Sequence, residues 1–133
     1  MTHYGIDALT AVRLVREGVV VSDQHKLVAP NLLRSQALSL IYRSVRDGST
    51  TAADARQQLE RITTMSIRLL GDRVSRGTAF RLATSLDWDD TTNAEYVAVA
   101  QLQADAFVTG DPALAKAVAD LVTVAPYEAL LAG

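Results

Sequence analysis

Five short, mainly apolar runs recur along the chain, and each has the length of a buried β-strand. The runs are "HYGID" at 3–7, "KLVA" at 26–29, "SIRLL" at 66–70, "DAFVT" at 105–109 and "LVTVA" at 121–125. Runs of this kind, without regular alternation, are typical of strands that are covered on both faces of a sheet. The pattern therefore predicts a sheet of four or five short strands.

Between the runs, apolar residues recur at spacings of three or four, the period of an amphipathic helix. In the stretch 31–46 the apolar face consists of Leu33, Ala37, Leu40, Ile41 and Val45. Similar patterns predict helices at 8–15, 51–64, 75–86, 92–104 and 112–119. Helices that alternate with strands indicate a mainly parallel sheet, because each parallel strand needs a crossover to return the chain. We predict an α/β/α sandwich that residues 1–133 form as a single domain.

The composition supports one folded unit and excludes several kinds of site. At 133 residues, with 49% hydrophobic and 21% charged residues, the chain is large enough for one core. Its net charge of −2 excludes a general attraction for polyanions, so a nucleic acid must bind at a local patch. The absence of cysteine excludes disulfides, zinc–thiolate centres and thiol catalysis. Without a targeting pattern or an apolar run of about 18 residues, the sequence predicts a soluble, cytoplasmic protein with no membrane partner.

Four oxygen-bearing side chains are expected at the same edge of this sheet. Asp7 ends the first apolar run, and Asp111 follows the run "DAFVT". Gln36 lies early in the helix after "KLVA", on the face that turns towards the sheet, and Asn93 lies at the head of the helix that leads into "DAFVT". In parallel α/β folds, strand ends and the helices that follow them meet at the edge where ligands bind. We therefore predict that Asp7, Gln36, Asn93 and Asp111 form one site.

Each of these residues also has an ordinary structural explanation. Asp7 and Asp111 precede predicted helices and can cap their first turns. The residues at 92–95 match a capping box, T-x-x-E, which explains the surroundings of Asn93 without any ligand. Gln36 can be an inward-facing amide that hydrogen-bonds to the backbone. A functional site is indicated only by the four residues together.

Three segments of the chain carry a resemblance to a known family. They are "YGIDALTAV", "LVAPNLLRSQALSLIYR" and "TTNAEYVAVAQLQADAFVTGDPALA". The last is the most specific, because it combines a D-A-x-Y-[VL]-A-L-A-like helix with a V-T-x-D strand end. On these segments the chain resembles PIN-domain proteins over nearly its whole length, and among them the VapC toxins of VapBC toxin–antitoxin pairs. The resemblance implies a PIN-like fold and a toxin-type ribonuclease.

PIN domains of this kind carry four acids that hold one or two Mg²⁺ or Mn²⁺ ions for cleavage of an RNA phosphodiester. The resemblance puts the four positions at Asp7, Gln36, Asn93 and Asp111, of which only the first and last are acids in this chain. It therefore implies metal ligation by Asp7 and Asp111. Gln36 and Asn93 would contribute amide carbonyl or water-mediated contacts. Thr109, from the V-T-x-D pattern, is expected to support the last acid with its hydroxyl.

Two amides in place of two acids halve the negative charge of this site. Mg²⁺ in proteins is held mainly by carboxylates, phosphate oxygens and water, so we expect weak binding of Mg²⁺ or Mn²⁺. Asp89 and Asp90, in the loop before Asn93, are candidate metal ligands that could replace the missing charge. A solvated loop is the ordinary alternative for both.

The segment 68–76 supplies local positive charge. Arg68, Arg73 and Arg76 are candidates for contact with RNA phosphates, and a solvated helix face explains them equally well. The apolar stripes of the helices at 31–46 and 51–64 can bury themselves in the core, or they can receive a partner helix or a second copy of the chain.

Two functions follow from these observations. The first is a toxin-like, Mg²⁺-dependent endoribonuclease of low activity. The second is a PIN fold that has lost hydrolysis and binds an antitoxin, itself or RNA. The partners that the resemblance implies are a VapB-like antitoxin, RNA and a second copy of the chain in a homodimer.

Overall fold

The computed structural model describes residues 1 to 132, in which strands and helices alternate. The strands are β1 (Thr2–Ile6), β2 (His25–Pro30), β3 (Arg68–Leu70) and β4 (Ala106–Val108). The α-helices are α1 (Ala8–Arg16), α2 (Leu33–Arg46), α3 (Ala52–Thr64), α4 (Arg73–Ser85), α5 (Thr92–Gln103) and α6 (Pro112–Val118). A 3-10 helix (Tyr127–Leu131) lies at the end of the described range.

All strand pairs are parallel, and the strands lie in the order β3-β2-β1-β4. In the central strand β1, Tyr4 pairs with Leu27 of β2 on one side and with Ala106 of β4 on the other. The chain proceeds from β1 outwards to β2 and β3 and then crosses back to β4, so the strand order reverses between β1 and β4. A reversal of this kind opens a crevice at the carboxyl ends of the two strands, where open α/β sheets bind ligands.

Helices flank the sheet, as the alternation predicts. α1, α2 and α3 pack on one another, and α5, which packs on α4, lies against β1 and β2. Ile6, Val28 and Phe107, from three neighbouring strands, are buried in the core. The predicted α/β/α sandwich with a parallel sheet is confirmed. None of the helices in residues 1 to 132 combines the length and the hydropathy of a bilayer-spanning segment.

The apolar run at 121–125 is the one predicted strand that forms only in part. It makes a single parallel bridge, between Phe107 and Val124. One hydrogen bond lies on each side of the bridge, at 2.8 Å from Phe107 N to Thr123 O and at 2.9 Å from Ala125 N to Phe107 O. Pro126 follows immediately and is the N-cap of the 3-10 helix, so the extended backbone ends there. Within residues 1 to 132 the sheet therefore has four strands, the lower of the two predicted numbers.

The predicted capping box at the start of α5 is wrong. The N-cap residue is Thr91 rather than Thr92, and its side chain makes no capping hydrogen bond. The N–H of Thr92 donates instead to Asp90 Oδ1 at 3.0 Å. An ionised carboxylate accepts a stronger hydrogen bond than a hydroxyl does, which explains why Asp90 takes this position. The side chain of Asn93 is left without any part in capping.

Close packing at Gly5 brings α5 towards the central strand. A Cβ atom on Gly5 would lie 2.9 Å from Ala100 Cβ and 3.3 Å from Ala100 Cα. The two small residues therefore let the helix and β1 approach more closely than larger side chains would. Because Asn93 lies two turns before Ala100 in α5, the same packing holds the head of this helix beside the end of β1.

We expect Gly5→Ala to destabilise the protein by about 1–3 kcal/mol, because the new methyl group would force α5 away from β1. The matched control is Gly77→Ala in α4, where the added Cβ would meet only the end of a flexible side chain, Arg81 Nη1, at 3.6 Å. This control should be neutral or stabilise the protein by about 0.5–1 kcal/mol, because a helix interior is more stable with alanine than with glycine. Denaturant unfolding of the three proteins measures both effects. Equal stability of Gly5→Ala and the parent chain would contradict the close packing.

Candidate functional site

A cleft of about 520 Å³ opens at the carboxyl edge of the sheet, beside the point where the strand order reverses. All four residues that the sequence assigns to one site line this cleft. Arg43 and Tyr96, which the sequence analysis did not assign to the site, line it as well. The eight polar residues of the cleft are Asp7, Ser35, Gln36, Ser39, Arg43, Asn93, Tyr96 and Asp111.

Asp7 joins the ends of β1 and β4 to the start of α1. Its carboxylate is buried and caps α1, with Oδ1 accepting from Thr10 N at 2.9 Å. Its Oδ2 accepts from the Thr109 hydroxyl at 2.5 Å, and both oxygens lie 3.3 Å from Gly110 N. Gly110 can reach this position because it lacks a Cβ atom, which would lie 2.7 Å from Leu9 Cβ in α1. The capping role proposed for Asp7 is therefore confirmed, and it accompanies a place in the cleft.

Thr109 contacts both acids of the cleft through its hydroxyl. Its hydroxyl donates to the side chain of Asp7 and accepts, at 3.0 Å, from the backbone N–H of Asp111. Thr109 therefore contacts the last acid through that residue's backbone N–H, while the carboxylate of Asp111 turns towards the helix that follows it. One hydroxyl thus links the end of β1 to the loop between β4 and α6.

Asp111 caps α6, as one of the two interpretations predicts. Its Oδ1 accepts from Ala113 N at 2.9 Å and from Leu114 N at 3.3 Å, with Pro112 in the first turn of the helix. Its Oδ2 makes no hydrogen bond within the described part of the chain. Asp111 therefore offers the cleft one free carboxylate oxygen.

Gln36 is held by a hydrogen bond from Tyr96 across the cleft. The Tyr96 hydroxyl donates to Gln36 Oε1 at 2.6 Å. Burial raises the pKa of Tyr96 above its ordinary value, and the nearby charges of Asp7 and Glu95 raise it further. The phenol is therefore protonated at neutral pH and acts as the donor. The carbonyl oxygen of Gln36 keeps one further lone pair, and its NH₂ group makes no hydrogen bond within residues 1 to 132.

The two loop acids do not reach the cleft. Asp90 bonds to the start of α5 and, like Asp89, is exposed and absent from the cleft lining. Asn93, which follows in α5, does line the cleft and makes no side-chain hydrogen bond within residues 1 to 132. The structure therefore gives no support to Asp89 and Asp90 as replacements for the missing negative charge.

The donor set of the cleft fits a divalent metal ion poorly. No group of three or more His, Cys, Asp or Glu side chains in the described range is arranged to hold a metal ion. Both oxygens of Asp7 already accept hydrogen bonds, and the carbonyl oxygen of Gln36 already accepts from Tyr96. Mg²⁺ demands near-octahedral oxygen ligation and usually relies on carboxylates to replace its water. Gln36 keeps one lone pair for the carbonyl contact expected of it, so what the cleft lacks for a metal ion is carboxylates.

The predicted RNA-contacting arginines lie away from the cleft, whereas Arg43 lines it. Arg68 is exposed in the edge strand β3, and Arg73 and Arg76 are exposed in the first turn of α4. Arg76 is close enough to Glu95 to lower the pKa of that carboxyl, although burial raises it by more. Arg43 follows Gln36 by seven residues in α2, a spacing that puts both residues on one helix face. This spacing is the sequence signal that could have assigned Arg43 to the site.

No known family profile and no curated protein matches the sequence of the chain. Its fold is similar to that of solved structures, among them the crystal structure of PAE2754 from Pyrobaculum aerophilum. The two structures superpose with a TM-score of 0.71 at 20% sequence identity, and the match covers 98% of this chain and 94% of that chain. A likeness at this identity establishes a shared fold, and function depends on the residues of the site.

We expect Tyr96→Phe to destabilise the protein by about 1 kcal/mol, because the half-buried carbonyl of Gln36 loses its donor. The control is Tyr42→Phe, since the Tyr42 side chain is exposed and its hydroxyl makes no hydrogen bond in residues 1 to 132. This control should change stability by less than about 0.5 kcal/mol. Urea unfolding distinguishes the two variants. Equal effects would mean that the Tyr96–Gln36 bond contributes nothing to the folded state.

The cap at α6 predicts different results for two substitutions of Asp111. Asp111→Ala should lower the melting temperature by about 4 °C, because losing an N-cap costs about 1 kcal/mol. Asp111→Asn should leave the melting temperature unchanged or raise it slightly. Asparagine also caps a helix, and the substitution removes one negative charge from the cleft wall that contains Asp7. Calorimetry measures both.

Asp72 supplies the control, since it caps α4 from an exposed position outside the cleft, with Asp72 Oδ1 accepting from Ser75 N at 2.8 Å. Asp72→Ala should lower the melting temperature about as much as Asp111→Ala, because the same kind of cap is lost. A fall of several degrees for Asp111→Asn would show that the charge of Asp111 itself stabilises the fold.

Proposed function

We propose that this chain is a PIN-domain protein of the VapC kind whose toxin-type ribonuclease site has lost most of its affinity for divalent metal. Its main activity is binding, with RNA, a VapB-like antitoxin and a second copy of the chain as partners in the cytoplasm. The chain keeps the framework of a metal-dependent nuclease and lacks half of the charge that such a site requires.

One observation carries this proposal. The four positions at which the resemblance expects acids line a single cleft at the strand-order reversal, and two of the four are amides. Of these amides, Gln36 is already bonded through its oxygen to Tyr96. The cleft thus has the location and the polar lining of a ligand site, with a donor set that favours hydrogen bonding over metal ligation.

Weak endoribonuclease activity is the second candidate function. It is favoured by Asp7 and Asp111, which both line the cleft, and by the free Oδ2 of Asp111. Two carboxylates provide some attraction for a hydrated cation, and two further ones would be needed for the charge that the family pattern supplies.

Exposed apolar side chains support the partner part of the proposal. Leu38 and Tyr42, one turn apart in α2, are 53% and 61% exposed, and Val74 and Phe80 in α4 are 62% and 69% exposed. Leu38 and Tyr42 share one face of α2, and an exposed apolar pair of this kind supports contact with another protein.

The double substitution Gln36→Glu, Asn93→Asp tests the proposal directly. We expect Mn²⁺ affinity, measured by calorimetry, to rise by roughly tenfold or more, because two negative charges are added to the cleft. We expect the same protein to cleave single-stranded RNA in Mn²⁺ much faster than the parent chain, whose cleavage should be slow or undetectable.

A matched control adds the same two charges elsewhere, with Gln57→Glu on the exposed face of α3 and Gln103→Glu at the end of α5. This control should leave both metal binding and cleavage unchanged. If the cleft substitutions produce neither tighter metal binding nor cleavage, the assignment of the cleft as a PIN-type site is wrong. Rapid cleavage by the parent chain would establish the nuclease as its main activity.

A further inference from the structure

The α2 wall of the cleft is a row of hydrogen-bond donors. Gln36, Ser39 and Arg43 all line the cleft at spacings of three or four residues, which puts them on one face of the helix. The oxygen of Gln36 accepts the bond from Tyr96, and its NH₂ group has no partner in residues 1 to 132. The Ser39 hydroxyl and the Arg43 guanidinium make no hydrogen bond to any residue from 1 to 132. The row therefore consists of an amide, a hydroxyl and a cation, all of which can donate.

Arg43 differs from a solvated surface arginine in its position. It faces a concave surface, whereas the ion pairs in the described range join His3 to Asp105 and Arg13 to Glu17, both outside the cleft. A guanidinium group offers five N–H donors in a planar fork that matches two oxygens of a phosphate. With no carboxylate within 4.0 Å, this fork is available to a ligand.

The two acids of the cleft lie at its other end. Gln36 lies nearer that end, because it is in the first turn of α2, which begins directly after the carboxyl end of β2. Seven residues of α-helix separate Gln36 from Arg43, a rise of about 10 Å. An anion beside Arg43 is therefore farther along α2 from the strand ends than one beside Gln36, and salt screens the repulsion that remains. The carboxylates of Asp7 and Asp111 are also partly neutralised by the backbone N–H groups that they accept from.

We propose that the Ser39–Arg43 end of the cleft is a phosphate subsite that binds a nucleotide unit of single-stranded RNA without a divalent metal ion. The proposal rests on the proposed function, since that function makes RNA a ligand of this cleft. It adds where the phosphate binds and which groups donate to it. Arg43 supplies charge and a bidentate contact, Ser39 supplies a hydroxyl, and the NH₂ of Gln36 extends the donor row towards the acids.

The test measures binding of a short labelled single-stranded RNA in EDTA, by fluorescence anisotropy at several salt concentrations. Arg43→Gln should weaken binding by roughly tenfold and should make the dependence of log K on log salt shallower by about 0.7, the loss of one phosphate contact. Arg43→Lys should keep the salt dependence and lose part of the affinity, because the charge stays and the planar fork is lost. Since Arg43 is exposed, these variants should fold, and circular dichroism verifies this.

Arg46→Gln is the matched control, because Arg46 lies in the same last turn of α2, is exposed and does not line the cleft. It removes the same charge and should weaken binding by less than about twofold, through long-range electrostatics alone. Equal losses for Arg43→Gln and Arg46→Gln, or no binding of RNA by the parent chain in EDTA, would overturn the subsite.

Competition identifies the group that is bound. Uridine 5′-monophosphate should displace the labelled RNA at a lower concentration than uridine, and inorganic phosphate should displace it more weakly than the nucleotide. Equal competition by uridine and its monophosphate would mean that the base is recognised and that the phosphate subsite is wrong.

The subsite and the proposed function fail in different ways. If Gln36→Glu, Asn93→Asp gains cleavage while Arg43→Gln binds RNA as the parent does, the subsite falls and the proposed function stands. If the double variant gains neither metal binding nor cleavage, the proposed function falls. A loss of RNA binding in EDTA that is larger for Arg43→Gln than for Arg46→Gln would still locate a phosphate at this end of the cleft.

Discussion

The hydrogen bonds of the Asp7 carboxylate hold the functional edge of the sheet together. They connect the end of β1, the first turn of α1 and the loop after β4, three parts of the chain that are distant in sequence. The carboxylate is buried, and a buried carboxylate is tolerated only when such donors surround it. The crevice between β1 and β4 takes its shape from these bonds, because they determine where Thr109 and Gly110 lie.

The two acids in the cleft are the two that also cap helices. Asp7 caps α1 and Asp111 caps α6, whereas Gln36 lies inside α2 and Asn93 lies inside α5 without a capping bond. An acid at a cap stabilises the fold whether or not a metal is bound, because it accepts from N–H groups that would otherwise lack a partner. On the proposed function, loss of metal binding removes the need for charge at 36 and 93 and leaves the need for a capping side chain at 7 and 111.

Replacing carboxylates by amides changes the kind of chemistry that the cleft can perform. A carboxylate only accepts, whereas an amide both accepts and donates. In this structure the carbonyl oxygen of Gln36 accepts a hydrogen bond from Tyr96, whose raised pKa keeps the phenol protonated. The cleft consequently has an acid end formed by strand termini and a donor end formed by α2. Such a polarised cleft is better suited to a ligand with donors and acceptors of its own than to a bare cation.

The sequence by itself determined the alternation of strands and helices, the parallel sheet and the edge to which Asp7 and Asp111 belong, because these depend on periodicity and on the order of elements. Only the tertiary structure decided where individual side chains point. It joined Tyr96 to Gln36 across 60 residues, joined the Thr109 hydroxyl to the carboxylate of the first acid as well as to the backbone of the last, and left Asp89 and Asp90 outside the cleft. Local spacing specifies which face of an element a residue occupies, whereas a hydrogen-bond partner is set by how closely separate elements pack.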